Sequence, residues 1–212
     1  MDRRFHDHPA VTLGAAIADY FGCDRECRRS RPRLGSCDMK PRQYRYVGPD
    51  EIRKRVTAEP HRTPVKSPGD LRAWLAAAEP NPRRRDYVPA TFIVDRSRQL
   101  WIADRRSEHV ACAAGGDVLS AGELVFCQSG SVIEIIEATN QSTGFCPEPE
   151  SWDVVATVLE ETGIPHPNGF TTAFQFRRCD ACGSTNLIKD EVFECSVCGA
   201  QLSRVWNYAN EE

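Results

Sequence analysis

The feature that most constrains how this chain folds is a pair of cysteine motifs near its C-terminus. Both have the form Cys-x-x-Cys-Gly, at 179–183 and at 195–199, with twelve residues between the two cysteine pairs. Two intervening residues let a tight turn aim both thiolates at one point, and the glycine allows the backbone conformation that such a turn needs. Apolar residues on both sides of the charged stretch 189–191 predict a hairpin between the motifs. The four sulfur atoms are therefore expected to meet.

Four thiolates that converge in this way are the closed, tetrahedral ligand set of structural zinc. From Arg177 to Tyr208 the chain resembles the zinc ribbon family. Other zinc ribbons bind nucleic acid, bind proteins or only close a fold, so the resemblance leaves the activity open. The predicted Zn²⁺ ligands are Cys179, Cys182, Cys195 and Cys198.

Three alternatives to zinc remain at these cysteines: two disulfides, free buried thiols and rubredoxin-type iron. Intracellular chains rarely keep disulfides, and rubredoxin pairs are usually further apart in sequence than these are. We therefore expect zinc.

The charge of the chain is unevenly distributed. Residues 1–89 carry a balance of +7 and residues 90–212 a balance of −10, although the whole chain is only at −3. This asymmetry predicts a basic region that meets an anionic partner, or two parts of one chain that attract each other. The arginine-rich segment 23–46, with Tyr44 and Tyr46, makes a nucleic-acid-binding protein one alternative function. The predicted ribbon is itself slightly acidic, which favours a structural or protein-contact role for it.

The pattern of apolar residues changes near residue 90. Before it, short helices are predicted at 9–22, at 49–58 and from Pro68, which follows a capping Ser67. After it, short apolar runs joined by tight turns predict an antiparallel sheet, followed by a helix from Ser151 to Gly163. The predicted strands are 91–94, 100–103, 109–113, 123–127 and 131–138, the last of them buried on both faces.

These patterns define the predicted fold class and domains. The fold is expected to be α+β, a mainly antiparallel sheet with a few short helices and a C-terminal zinc ribbon. The three predicted domains are a basic N-terminal region at 1–89, a β-rich domain with one helix at 90–170, and the ribbon at 171–212.

The chain carries no sign of membrane insertion or export. No apolar run approaches the roughly 18 to 20 residues that cross a bilayer, and the N-terminus lacks the apolar segment of a signal peptide. We therefore predict a cytoplasmic protein without membrane contact.

Two segments, 105–112 and 139–148, gather groups that could perform acid–base chemistry. His109 stands three residues before Cys112, and a Cys/His pair can generate a reactive thiolate. On a strand, however, these two side chains would point to opposite faces, so a buried, inert Cys112 is expected. The candidate catalytic residues of a transferase or hydrolase are Glu108, His109, Asn140, Ser142 and Glu148.

A second metal site is a weaker hypothesis for the N-terminal region. Cys23, Cys27 and Cys37 could supply three ligands, with His6 or His8 as the fourth. Ordinary free thiols in a basic loop are the expected state.

The closed cysteine site is the most specific chemistry in the sequence, and it leaves no open position for a substrate. The function predicted first is therefore a zinc-ribbon binding or adaptor protein with a structural metal and a protein partner. Nucleic-acid binding through segment 23–46 and catalysis by the five candidates are the two alternatives.

Overall fold

The computed structural model describes residues 40–57, 61–78 and 87–208. These residues belong to one compact unit, Lys40–Glu212. The predicted helix 9–22, the three N-terminal cysteines and most of the arginine-rich segment lie outside the described residues, so the hypothesis of a second metal stays a prediction.

The strands of the described structure are β1 (Thr63–Val65), β2 (Tyr87–Asp95), β3 (Leu100–Asp104), β4 (Val118–Ser129), β5 (Val132–Thr139), β6 (Gln175–Arg178) and β7 (Thr185–Ile188). A five-stranded antiparallel sheet forms its centre, in the order β1-β3-β2-β4-β5. Its longest pairing joins β2 to β4 and runs from Tyr87 opposite Cys127 to Asp95 opposite Val118. A separate two-stranded sheet pairs β6 with β7.

The α-helices in the described ranges are short and pack on both faces of the sheet: α1 (Asp50–Arg53), α2 (Pro68–Ala77), α3 (His109–Cys112) and α4 (Trp152–Thr162). One face carries Phe92 and Leu124 against α2 and α4, while the other carries Ile93 and Ala103 against α3 and Tyr44. The α+β class with a mainly antiparallel sheet is thereby confirmed.

Helices α2 and α4 begin and end near the predicted residues. Ser67 accepts a hydrogen bond from the backbone N–H of Asp70 at 3.3 Å, and Pro68 occupies the first turn. Gly163 ends α4 with φ at 70°, the left-handed conformation that glycine adopts easily. Ser151 precedes α4, but its hydroxyl bonds the Ser120 hydroxyl at 3.0 Å rather than capping the helix.

The predicted strand at 109–113 was wrong, because α3 occupies this segment. Backbone N–H groups of Cys112 and Ala113 donate to the carbonyls of Glu108 and His109, at 3.0 and 2.8 Å. A short apolar run satisfies both helical and strand patterns, and alanine favours the helix. His109 and Cys112 therefore share a helical turn instead of pointing to opposite sheet faces.

Two other local predictions also need correction. The predicted helix 49–58 is only the single turn of α1. Strand β5 is not buried on both faces, since exposed and buried residues alternate along it and Val132 is 57% exposed.

Strand β1 lies before the predicted domain boundary at 89/90 and pairs with β3 beyond it. The division into three domains stays a prediction. Across the described ranges, no helix combines the length and apolarity required to cross a membrane.

Candidate metal centre and the adjoining loop

The two cysteine motifs form matching turns within residues 175–208, which we call the cysteine module. The N–H of Gly183 donates to the Cys179 carbonyl at 2.8 Å, and the N–H of Gly199 donates to the Cys195 carbonyl at 2.9 Å. Both glycines have φ above 70°, where a side chain would be strained. The hairpin between the motifs closes through a bridge from Lys189 to Val192. The predicted convergence of the two cysteine turns is confirmed, whereas in the described residues β7 pairs with β6 and meets the chain after the turn through the single Lys189–Val192 bridge.

The four sulfur atoms lie within 4.8 Å of one another. Two of the separations, Cys179 to Cys198 and Cys182 to Cys195, are 3.6 Å. Zinc with four sulfurs at about 2.3 Å in a tetrahedron places neighbouring sulfurs about 3.8 Å apart, whereas a disulfide requires about 2.05 Å. The spacing therefore fits a tetrahedral metal site and not a pair of disulfides.

Polar groups around the Cys195 sulfur atom favour its thiolate form. Backbone N–H groups of Cys198 and Val197 donate toward Cys195 and hold the pKa of its thiol below the usual value, although burial opposes them. Asn186, which is 4% exposed, donates to the Cys195 sulfur at 3.6 Å. Its carbonyl oxygen accepts from the backbone and hydroxyl of Ser196, both at 3.0 Å. A metal ligand must be a thiolate, and its orientation depends on such surrounding bonds.

The polar loop, residues 139–148, follows β5 of the central sheet and contacts the cysteine module through its side chains. Asn140 is fully buried. Its amide donates to the carbonyls of Pro147 and Phe174, both at 2.8 Å, and its oxygen accepts from the Phe174 N–H at 2.7 Å. Asn140 thus fixes the chain just before β6, with nearly all of its bonding capacity used internally.

A buried ion pair makes the second connection between the polar loop and the module. Arg177 donates to both carboxylate oxygens of Glu148, at 2.8 and 3.3 Å, and the two side chains are only 4% and 13% exposed. Arg177 also donates to the carbonyls of Phe176 and Arg204. A bidentate, charge-assisted pair of this kind is geometrically specific. Glu148 is therefore held in place by β6.

The other three candidate catalytic residues occupy different surroundings. Glu108 is exposed at the start of α3. His109 Nε2 lies 3.0 Å from the Gly122 carbonyl, and burial lowers the pKa of the ring. Because a carbonyl only accepts, this geometry places the ring proton on Nε2. Ser142 is 1% exposed, and its hydroxyl has no hydrogen-bond partner among the described residues.

The side-chain contacts of the described residues do not join all five candidates. Gly122, the partner of His109, packs against the backbone of Thr139 and Asn140 so closely that a Cβ would meet the Thr139 carbonyl. This contact brings α3 close to the polar loop. A catalytic role for Glu108, His109, Asn140, Ser142 and Glu148 stays a prediction.

Sequence reasoning missed three residues that hold this region together. Arg177, Asn186 and Tyr208 are all buried in the module, and the sequence analysis names Arg177 and Tyr208 only as the ends of the predicted ribbon. The available signal was the position of Arg177, a basic residue two positions before the first cysteine turn.

Comparison of the chain with protein-family models, curated proteins and solved structures gives no match. The resemblance to zinc ribbons therefore depends on the cysteine motifs and their geometry.

Proposed function

We propose that this chain is a zinc protein in which one Zn²⁺, held by Cys179, Cys182, Cys195 and Cys198, has a structural role. The convergence of four thiols within 4.8 Å is the observation that carries the proposal. Four protein ligands leave no open coordination position, which is typical of structural and not catalytic zinc.

The proposed metal would also order the groups that contact the rest of the unit. Trp206 donates from Nε1 to the Cys146 carbonyl at 2.8 Å, and its ring packs edge-on against Tyr44 at 5.6 Å. Together with Arg177 on Glu148, these contacts attach the module to the polar loop. Zinc binding would therefore stabilise the surface that the module and the loop form together.

We further propose a non-catalytic binding or adaptor role, with a protein partner and a cytoplasmic location. Two observations support the binding role: Asn140 and Glu148 are engaged in internal bonds, and the module exposes apolar side chains. Val192, Val197 and Val205 are 57%, 71% and 71% exposed. Apolar groups at the centre of a protein contact, with polar surroundings, are usual in interfaces.

The zinc proposal is tested by elemental analysis of freshly purified protein. One zinc per chain is expected, and Cys195→Ser should abolish stoichiometric binding. Cys127→Ser is the matched control, because Cys127 is a free cysteine of β4 outside the cluster. Absence of any metal, or iron in place of zinc, would contradict the proposal.

The two alternative functions stay predictions. In the described part of segment 23–46, Arg42 lies over the Trp206 ring at 4.9 Å and Arg45 pairs with Asp117 at 3.9 Å. Binding of nucleic acid that persists at moderate salt would favour the first alternative, since a purely electrostatic contact weakens steeply with salt. Loss of a measured activity on changing His109 would favour the second.

A further inference from the structure

The side chain of Asn186, in β7, contacts both cysteine turns and is 4% exposed. Its amide donates to the Ser184 carbonyl at 3.0 Å, and the same carbonyl accepts from the backbone N–H of Cys179 at 2.9 Å, next to the first turn. Its oxygen accepts from the backbone N–H and the hydroxyl of Ser196, inside the second turn, both at 3.0 Å. One buried side chain therefore fixes the positions of the two turns relative to each other.

The same amide also donates to the Cys195 sulfur, at 3.6 Å. Cys195 is only 2% exposed, so water can do little to stabilise charge on it, whereas Cys182 is exposed. One Zn²⁺ with four thiolates carries two net negative charges, and a buried charge is unfavourable unless hydrogen bonds compensate for it. The Asn186 amide thus places a donor at a sulfur that solvent barely reaches.

These contacts also determine the orientation of the Asn186 amide. An asparagine side chain has two N–H donors and an oxygen with two lone pairs, and the four contacts can use all of them. A rotated amide would place its oxygen against the Ser184 carbonyl and the Cys195 sulfur, which are both acceptors. The network therefore allows one orientation, in which an N–H group faces the sulfur.

We propose that Asn186 is a positioning residue of the zinc site, which acts through Cys195 by holding its sulfur in the coordinating orientation and donating to it. This inference rests on the proposed structural zinc and identifies a residue that determines how tightly the metal is held. Hydrogen-bond partners of metal ligands typically contribute about 10–100-fold to metal affinity. Asn186 should contribute to zinc affinity by about this factor and should slow the loss of zinc.

The test compares the full wild-type chain with two variants, by competition for zinc with a chelator and by the absorption of the Co²⁺-substituted protein. Asn186→Ala should lower zinc affinity by about 10–100-fold. Asn186→Asp keeps an acceptor for Ser196 but replaces the N–H donor with a negatively charged oxygen, so it should bind zinc no better than Asn186→Ala. Both variants should shift the sulfur-to-cobalt charge-transfer absorption to lower energy, because a thiolate without its donor gives up electron density more easily.

Asn207→Ala is the matched control. Asn207 also bonds the backbone of the module, since it accepts from the Arg178 N–H at 2.8 Å and donates to the Arg178 carbonyl at 2.7 Å. None of its hydrogen bonds within the described residues joins it to a cysteine. Asn207→Ala should therefore leave the Co²⁺ spectrum unchanged even where it lowers the stability of the module, which separates positioning of the sulfur from general stabilisation.

Ser196→Ala decides the matter where the Asn186 variants do not fold. It removes one donor to the Asn186 oxygen from an exposed residue, and zinc should be lost about fivefold faster. An unchanged rate of loss would overturn the proposal. For folded variants, it is overturned if Asn186→Asp binds zinc as tightly as the wild type, if neither Asn186 variant shifts the Co²⁺ spectrum, or if Asn207→Ala shifts it equally. A wild-type chain without zinc rejects the structural metal itself, whereas a zinc-loaded wild type with unaffected variants rejects only the role of Asn186.

Discussion

The central sheet and the cysteine module lie in one compact unit but are stabilised by different means. The sheet buries a continuous apolar layer that includes Phe92, Ile102 and Leu124, each with no exposed surface. The module's own apolar cluster around the cysteines contains only Leu202 as a fully buried hydrocarbon side chain among the described residues. A segment this small seldom folds on hydrophobic burial alone. The sheet therefore depends on its core, while under the zinc proposal the module depends on its metal.

The largest expected effect comes from removing the proposed metal. Structural zinc in small domains is worth on the order of 10 kcal/mol in apparent binding free energy, so chelation or Cys195→Ser should unfold residues 175–208 and leave the sheet folded. Hydrogen exchange followed by mass spectrometry measures this directly. Protection should be lost in β6 and β7 and retained in β2 and β4.

The control for that experiment is Cys127→Ser, which should retain protection throughout. If chelation removed protection from β2 and β4 as well, the comparison would fail, because the module would then be part of the core that folds the sheet.

The next effect concerns the connection between the two regions. Glu148→Gln leaves the Arg177 guanidinium buried without its anion, and breaking a buried pair in this way costs about 3–5 kcal/mol of unfolding free energy. Chemical denaturation measures the loss. A double variant, Glu148→Met with Arg177→Met, should recover much of it, because no unpaired charge then remains buried.

Glu134→Gln provides the control, since Glu134 is exposed on β5 and should change stability by less than about 0.5 kcal/mol. A loss below about 1 kcal/mol for Glu148→Gln would show that the pair behaves as a surface salt bridge and that other contacts join the two regions.

A smaller effect is expected on the sheet side alone. Ser67→Ala removes the hydrogen bond to the Asp70 N–H and should lower the free energy of unfolding by about 1 kcal/mol. Zinc content should not change, because α2 packs on the sheet and not on the module. Ser131→Ala, in the exposed turn after β4, is the control that should have almost no effect. A change in zinc content on Ser67→Ala would link the two regions more closely than the structure indicates.

The sequence predicted the parts of the molecule that depend on near neighbours. The cysteine turns need only the spacing of two cysteines and a glycine, and α2 needs only Ser67, Pro68 and Asp70. Helix α3 was missed because a short apolar run of five residues fits a helix and a strand equally well. Its conformation is determined by contacts with the rest of the fold, which the local sequence does not show. Ser151 was misread because its hydroxyl has a better partner in Ser120, 31 residues away.

The connections of the polar loop were beyond prediction for the same reason. Asn140 bonds Phe174 across 34 residues, and Glu148 bonds Arg177 across 29. No local pattern encodes such pairs, so the loop could be recognised as polar and placed at a strand end, while the partners of its side chains could not.

The smallest expected effect completes the contrast between the two regions through their cysteines. Cys112 is 1% exposed, and burial raises the pKa of its thiol to about 12, although the nearby Arg62 opposes this. Near neutral pH the thiol is therefore protonated and should resist iodoacetamide, whereas the half-buried Cys127 should react faster than Cys112. Cys112→Ser should leave any measured binding nearly unchanged. Peptide mass spectrometry after timed labelling gives both rates.

The same pKa shift predicts a pH dependence with a definite sign. An unfolded cysteine loses its proton near pH 8.5, whereas folded Cys112 keeps its proton until about 12. The unfolded state thus binds fewer protons between these values, so the contribution of Cys112 to stability is complete below the lower pKa and declines as pH rises through this window. Cys112→Ala should flatten that decline. If iodoacetamide instead labelled Cys112 fastest at neutral pH and abolished binding, this buried cysteine of α3 would be reactive, and catalysis assisted by His109 would replace the adaptor role.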